Sequence, residues 1–242
     1  MCNAGEEGLG NLKGVRKICE DYGGRIKSFC TFDSSLSSIV DRAVGSKRFR
    51  VKVRTRGGHS YNDFGNDNAI AGLASLVGKL YKIQVPEGGK TTYNVGMISG
   101  GTSVNTIAQE AGMLYEFRSD KRENLEYMER QFMKVIDRGK SEGMDVSLEI
   151  IGVRPCEGPV DPKRKQALSD WAHRVVEEMT GQAPKHCAGS TDCNIPLSLG
   201  IPSVCVGSFR GAGAHTREEY VETDSLEEGY KVAFGMIFGS RD

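Results

Sequence analysis

The chain carries no net charge: 32 Lys and Arg balance 32 Asp and Glu among 242 residues, and the pI lies near 6.9. Without a positive field or a run of like charges, nothing concentrates nucleic acid or anionic lipid, so neither class of partner is expected. Long apolar runs are also missing. No stretch approaches the roughly 18 consecutive apolar residues of a membrane-spanning helix, and the first residues lack the basic and apolar segments of a secretory signal. The expected location is the cytoplasm. The seven cysteines are odd in number, irregularly spaced and without a Cys-x-x-Cys pair. That argues against a disulfide framework and against a structural zinc, and for reduced, buried thiols. Internal repeats and low-complexity segments are absent as well. What the chain has in excess is glycine, 31 residues of 242, nearly twice the usual share of about 7%, which implies many tight turns.

Hydrophobic periodicity divides the sequence into three parts. Over 12–20, Leu12, Val15 and Ile18 recur at helical spacing and Gly23-Gly24 supplies a stop. A strand is expected over 25–32 and an irregular segment over 34–44. Then Arg48-Phe49-Arg50-Val51-Lys52-Val53-Arg54 alternates with period two, the pattern of a half-buried strand. A helix follows over 68–83, with Ile70, Leu73, Leu76, Val77 and Leu80 on one stripe. Strands over 91–98 and 112–118, a helix over 125–136 and a strand over 146–153 complete the order β-α-β-β-α-β, a ferredoxin-like module with both helices on one face of an antiparallel sheet. Beyond Pro155 come a helix through Trp171 and Val175, a short helix opened by Asp192, an apolar strand at 201–206 and a last helix through Leu226, Tyr230, Val232, Phe234 and Ile237. The fold class is α/β with an inserted α+β module. Residues 1–45 and 159–242 form the α/β domain and 46–158 the insert.

Three places carry candidate chemistry. Glu6-Glu7 stands between Gly5 and Gly8, and two adjacent carboxylates in a turn need a cation or a proton unless both are solvated. His215 lies in a glycine-rich loop after the apolar strand, at the carboxyl end of an α/β sheet where ligands bind, or is a surface residue. Asp33, following a strand, suits metal ligation or the capping of the next turn. Cys187 beside His186, or Cys193, would serve as a nucleophile only if the fold brought an imidazole within hydrogen-bond reach.

Taken in order, Glu6, Glu7, Asp33, His59 in Gly57-Gly58-His59-Ser60, Asn105 in Ser103-Val104-Asn105-Thr106-Ile107, Arg118, the loop Gly189-Ser190-Thr191-Asp192 and His215 form a series. It resembles the di-zinc exopeptidase and amidohydrolase family that includes aminoacylase, succinyl-diaminopimelate desuccinylase, tripeptide aminopeptidase and glutamate carboxypeptidase. The resemblance runs over essentially the whole chain. It implies a zinc-binding α/β domain, present in part, interrupted by a ferredoxin-like lid that forms homodimers. It makes Glu6 the general base toward a metal-bound water, Glu7 and His215 ligands of one zinc, and Asp33 a ligand of the other. His59 would stabilise the oxyanion, across the subunit boundary in dimeric members. Asn105 would face the substrate, and Arg118 would hold its carboxylate with help from Gly189, Ser190 and Thr191. The implied reaction is zinc-assisted hydrolysis of an amide in a small peptide or N-acyl amino acid.

The same family has a His-x-Asp motif and a later bridging aspartate ahead of its Glu-Glu pair. None of the four histidines here has Asp two positions on, and the five residues before Glu6 include no His, Asp or Glu. The expectation is therefore an N-terminally truncated zinc domain with too few ligands for a di-zinc centre, inactive alone or dependent on a missing N-terminal segment. A non-catalytic dimerising or carboxylate-binding module is the competing class.

Overall fold

Side-chain alternation along the strands decides how the two four-stranded sheets of this protein are covered. The structure, a computed structural model, describes residues 2–214 and 216–239. It divides into two units, Met1–Val44 with Arg154–Asp242, and Gly45–Val153.

The first unit begins with helix α1 (Lys13–Tyr22), strand β1 (Phe29–Phe32) and strand β2 (Ser38–Ala43). The second contains β3 (Gly45–Arg54), β4 (Gly58–His59), α2 (Ala69–Leu80), β5 (Thr91–Gly100), β6 (Thr106–Ile107), β7 (Glu110–Ser119) and α3 (Arg122–Ser141), and ends on β8 (Asp145–Arg154). The chain then returns to the first unit through α4 (Pro162–Thr180), β9 (Lys185–Gly189), α5 (Asn194–Ser198), β10 (Ser203–Val206), β11 (Arg210–Ala212), β12 (Tyr220–Glu222) and α6 (Ser225–Phe238).

In the first unit the sheet order is β1-β10-β2-β9, with β1 parallel to β10, β10 antiparallel to β2, and β2 parallel to β9. Ile39, Val204 and Val206 point to one face, where they meet Trp171, Val175 and Val176 of α4 and Val232 and Met236 of α6. Their neighbours Val40 and Cys205 point the other way, onto Cys193 and Leu197. All four residues of β10 are buried, as an apolar strand covered on both faces requires. Two local expectations change. The strand over 25–32 starts only at Phe29, because Gly23–Arg25 winds into a 3-10 turn. The segment 34–44 is not irregular but contains β2, whose polar Asp41 is answered by Ser169 and His186. On α6, Leu226, Tyr230, Phe234 and Ile237 are exposed, and the buried line is Gly229, Val232 and Met236.

The second unit is the β-α-β-β-α-β module, its main sheet ordered β5-β7-β3-β8, with β7 antiparallel to both β3 and β5. Period-two alternation sends Phe49, Val51 and Val53 of β3 and Met113, Tyr115 and Phe117 of β7 to the helical side. There they pack with Leu73, Leu76 and Leu80 of α2 and Met128, Phe132 and Ile136 of α3. Asn68 caps α2, its side chain accepting from Ile70 N at 2.9 Å and Ala71 N at 3.4 Å. The ring of Phe132 centres this core, 4.4 Å from Phe49 and stacked 5.1 Å from Tyr115. Phe132→Ala should accordingly lower stability by about 3–5 kcal/mol, measured as a shift of the denaturant midpoint; a loss within experimental error would show that the aromatic cluster does not hold this unit.

Candidate active site

Glu6 and Glu7 sit on a turn that the backbone closes tightly. Leu12 N donates to Gly5 O at 2.9 Å, Gly14 N to Ala4 O at 3.0 Å and Gly10 N to Glu7 O at 2.9 Å. Gly5 takes a positive φ of 83°, and so does Leu12 at 61°, a costly conformation for a bulky residue. Leu12 holds it because its side chain is buried with Val15, Cys19 and Ile195. Glu7 is left exposed, while Glu6 is half-buried.

Arg154, the last residue of β8, reaches Glu6 from within the protein. It is 5% exposed. Its Nη1 donates to Glu6 Oε1 at 2.9 Å and to Ser190 Oγ at 3.2 Å, and its Nη2 donates to the Glu6 carbonyl. Burial pushes the Glu6 carboxyl above its ordinary pKa; Arg154 opposes the shift, and the negative charges of Asp33 and Glu7 add to it. Asp33 stands exposed just after β1, its backbone hydrogen-bonded to the Cys205 thiol, and burial pushes that thiol up to about 12. Glu6, Asp33 and Ser190 are thus brought together, although far apart in sequence.

The loop of Gly189, Ser190 and Thr191 is more committed than its sequence implies. Thr191 N donates to Asn194 Oδ1 at 2.9 Å, and Cys193 N to Thr191 Oγ1 at 3.1 Å. Gly189 O accepts from Val44 N at 2.7 Å. Asp192 does not cap α5; its Oδ2 accepts from Asn3 Nδ2 at 2.7 Å. One of the amides expected to meet a substrate carboxylate, that of Thr191, is therefore already satisfied within the protein.

The residues expected on the lid lie in the second unit. Gly57 and Gly58 have positive φ values of 66° and 144°, and a Cβ on Gly58 would meet Asp63 Cβ at 2.6 Å, so this approach to His59 needs glycine. His59 N donates to Asp63 Oδ2 at 2.7 Å, and His59 Nδ1 accepts from Tyr61 N at 3.3 Å and Asn62 N at 3.4 Å. With Nδ1 an acceptor, the neutral ring carries its proton on Nε2, the edge free to donate outward. Asn105 is adjacent: β4 pairs with β6, and Ser60 N donates to Asn105 O at 3.0 Å. His59 lines a groove of about 890 Å³ on the lid with Arg50, Met97, Thr106 and Leu114. Arg118 does not join them. It stands at the far end of β7 from Glu110, roughly 27 Å along an extended strand. There its Nε and Nη2 donate to the two Glu116 oxygens at 2.9 and 3.1 Å. His215 lies outside the described residues.

Zinc can be tested against these side chains. Among the described residues no three His, Cys, Asp or Glu groups converge as a metal site would. Glu7 and Asp33 fall short of the three protein ligands usual for catalytic zinc, and Arg154 occupies Glu6. The described residues do not fit a zinc centre by themselves. Among the described residues, Cys187 and Cys193 find no base within hydrogen-bond reach. His186 Nδ1 is 2.7 Å from Asp41 Oδ2, its Nε2 is 2.9 Å from His173 Nδ1, and the Cys187 thiol donates instead to Ile39 O. Burial also pushes the Cys187 and Cys193 thiols up.

Sequence reasoning missed Arg154. Its signal was phase: Val146, Leu148, Ile150 and Gly152 alternate along β8, and continuing that phase puts Arg154 on the apolar side of the strand.

Residues 43–144 match the family model of the M20 peptidase dimerisation domain. Over 97% of its length the chain superposes, with a TM-score of 0.70 and 22% identity, on the aminopeptidase PepT from Bacillus cereus and equally on a tripeptidase from Staphylococcus aureus. It covers 62% of each of those chains. An aminobenzoyl-glutamate utilization protein from Klebsiella pneumoniae is similar at a TM-score of 0.67 and 15% identity, over 97% of this chain and 59% of that one. No curated protein matches by sequence. The inserted module thus matches the M20 dimerisation-domain model, and the chain shares the fold of these aminopeptidase, tripeptidase and aminobenzoyl-glutamate utilization structures while spanning about three fifths of their length. The hydrogen bonds around His59 make a direct prediction: ¹⁵N spectra at pH 8.5 should show its Nε2–H tautomer, and a dominant Nδ1–H signal would contradict the arrangement.

Proposed function

We propose that this chain works in a metal-dependent hydrolase of the exopeptidase and amidohydrolase type, cutting the amide bond of a small peptide or an N-acyl amino acid. The observation that carries this reading is the fold it shares, over 97% of its length, with an aminopeptidase and a tripeptidase. In it Glu6 is the proton acceptor, and its partial burial and raised pKa suit a carboxylate that must hold a proton. His59 offers Nε2–H to the developing oxyanion, with Asn105 beside it to orient the substrate. Arg118 takes a substrate carboxylate, with His59 and Asn105 supplied by a second copy because Arg118 stands at the other end of the lid sheet, and Gly189, Ser190 and Thr191 are the chain's other substrate contacts on this reading. Glu7, Asp33 and His215 are the zinc ligands this chain contributes on this reading.

A second reading is favoured by one specific observation: the lid matches a family model in full sequence order over 43–144, whereas Glu6 is tied to Arg154 and three metal donors do not converge among the described residues. On that reading the chain is a non-catalytic dimerising or carboxylate-binding module.

The lid is the proposed homodimer surface on either reading. Strand β5 is an edge of its sheet, has no charged residue or proline along Thr91–Gly100, and exposes Met97 by 62% and Ile98 by 60%. An edge left so unguarded is a template for pairing with a second copy.

Two measurements follow. Assayed with zinc against dipeptides and N-acyl amino acids, the chain should show hydrolysis that Glu6→Gln lowers by about 100-fold or more; activity indifferent to that change sinks the role of Glu6, and no activity at all favours the second reading. In sedimentation, Ile98→Lys should weaken the dimer by roughly tenfold or more, while Ile150→Lys on the opposite edge strand β8 leaves it intact; equal effects would place the interface elsewhere.

A further inference from the structure

Asp33 and Glu7 each bring a negative charge within electrostatic reach of Glu6. Negative charges that close need a proton or a cation beside them. The chain supplies a cation of its own. Arg154, 5% exposed, holds Glu6 by its carboxylate and by its carbonyl, and is itself held by Ser190 Oγ at 3.2 Å. A guanidinium does not lose its proton in a protein, so this charge is permanent. A second guanidinium, on Arg16 of α1, lies close by: burial, then the charge of Arg154, lowers its pKa. The acidic turn therefore faces fixed positive charge from the protein interior.

We propose that Arg154 is the resident counter-ion of the Glu6-Glu7 turn, taking beside Glu6 the charge and hydrogen-bonding place that a divalent cation would otherwise fill, and thereby holding down the chain's own affinity for zinc. This deepens the hydrolase reading and rests on it only for assigning the turn to metal chemistry. Arg154 acts through the carboxylates and is a positioning residue: it sets where Glu6 points and ties it to the Ser190 loop.

The test is calorimetric titration of the full chain with zinc alone near neutral pH. Arg154→Met should bind zinc at least roughly tenfold more tightly than the unaltered chain, and adding Glu7→Gln should abolish the gain. Arg154→Lys, which keeps the charge, should stay within about threefold of the unaltered chain. Equal affinity in Arg154→Met and the unaltered chain, or a gain that survives Glu7→Gln, overturns the proposal. Should Arg154→Met prove too unstable to titrate, thermal unfolding of Glu6→Gln/Arg154→Met against Arg154→Met decides instead. Neutral Gln needs no counter-ion, so the double variant should recover most of the lost melting temperature, and one no more stable than the single overturns the proposal. Neither readout requires turnover, so a chain that hydrolyses nothing could still pass this test, and an active one could fail it.

Discussion

A guanidinium enclosed by protein cannot shed its charge, so the chain around Arg154 is arranged to answer it. Three segments distant in sequence converge on that one side chain: the Glu6 turn, the Ser190 loop after β9, and the end of β8 that carries Arg154 itself. Removing one partner of such a pair costs about 3–5 kcal/mol when both are buried, and toward the lower end here because Glu6 keeps some contact with water. The strained backbone at Leu12 is tolerable for the same reason. Its apolar anchor and the ion pair fix the turn from two sides, so the positive φ is overdetermined rather than free to relax.

The lid solves a different problem, because its sheet has one dry face and one wet face. On the dry side aromatic rings interlock, and the stability of the unit lies there. On the wet side charges alternate in ladders: Arg48 and Arg118 share Glu116, Lys52 and Arg54 share Glu110, and Arg50 meets Glu149. The exposed pairs made with Glu110 and Glu149 contribute little to folding. What they do is keep a broad face soluble and regular without filling it, so that the groove lined by His59 stays open. Strand β5 has no such ladder, which separates the face that meets solvent from the edge suited to a second copy.

The lid was legible in the sequence because each local rule agreed with the others. Period two marked β3 and β7, period 3.6 marked α2 and α3, Asn68 capped where a cap was wanted, and glycines stood where φ turned positive. The α/β unit was less legible wherever a polar residue occupied an inward position and drew its partner from far along the chain. Asp41 disguised β2 as a loop, because only the fold brings Ser169 and His186 to it. Arg154 passed as the start of a break before Pro155, although β8 carried it inward. Its partner Glu6 is 148 positions away, and no local pattern connects the two. On α6, Tyr230, Phe234 and Phe238 meet one another along the exposed side of the helix, while Gly229, Val232 and Met236 face inward.

The position of Arg118 bears on how a paired residue can still serve a ligand. Glu116 accepts from Arg118 at 2.9 and 3.1 Å and from Arg48 at 3.2 Å. Burial raises the Glu116 pKa, yet the hydrogen bonds and charges of the two arginines outweigh it and hold the carboxyl below its ordinary range. If Arg118 turned toward a substrate carboxylate, as its proposed role requires, Glu116 would keep Arg48. One carboxylate would replace another on the same fork, so the exchange leaves no buried charge unanswered. Arg154 has no such freedom, because Glu6 has no second cation at hydrogen-bonding distance in the described bonds and Arg154 is enclosed. Of the two arginines that hold carboxylates in this chain's candidate machinery, the half-exposed one on the lid can exchange partners, and the buried one fixes the turn that any chemistry at Glu6 must start from.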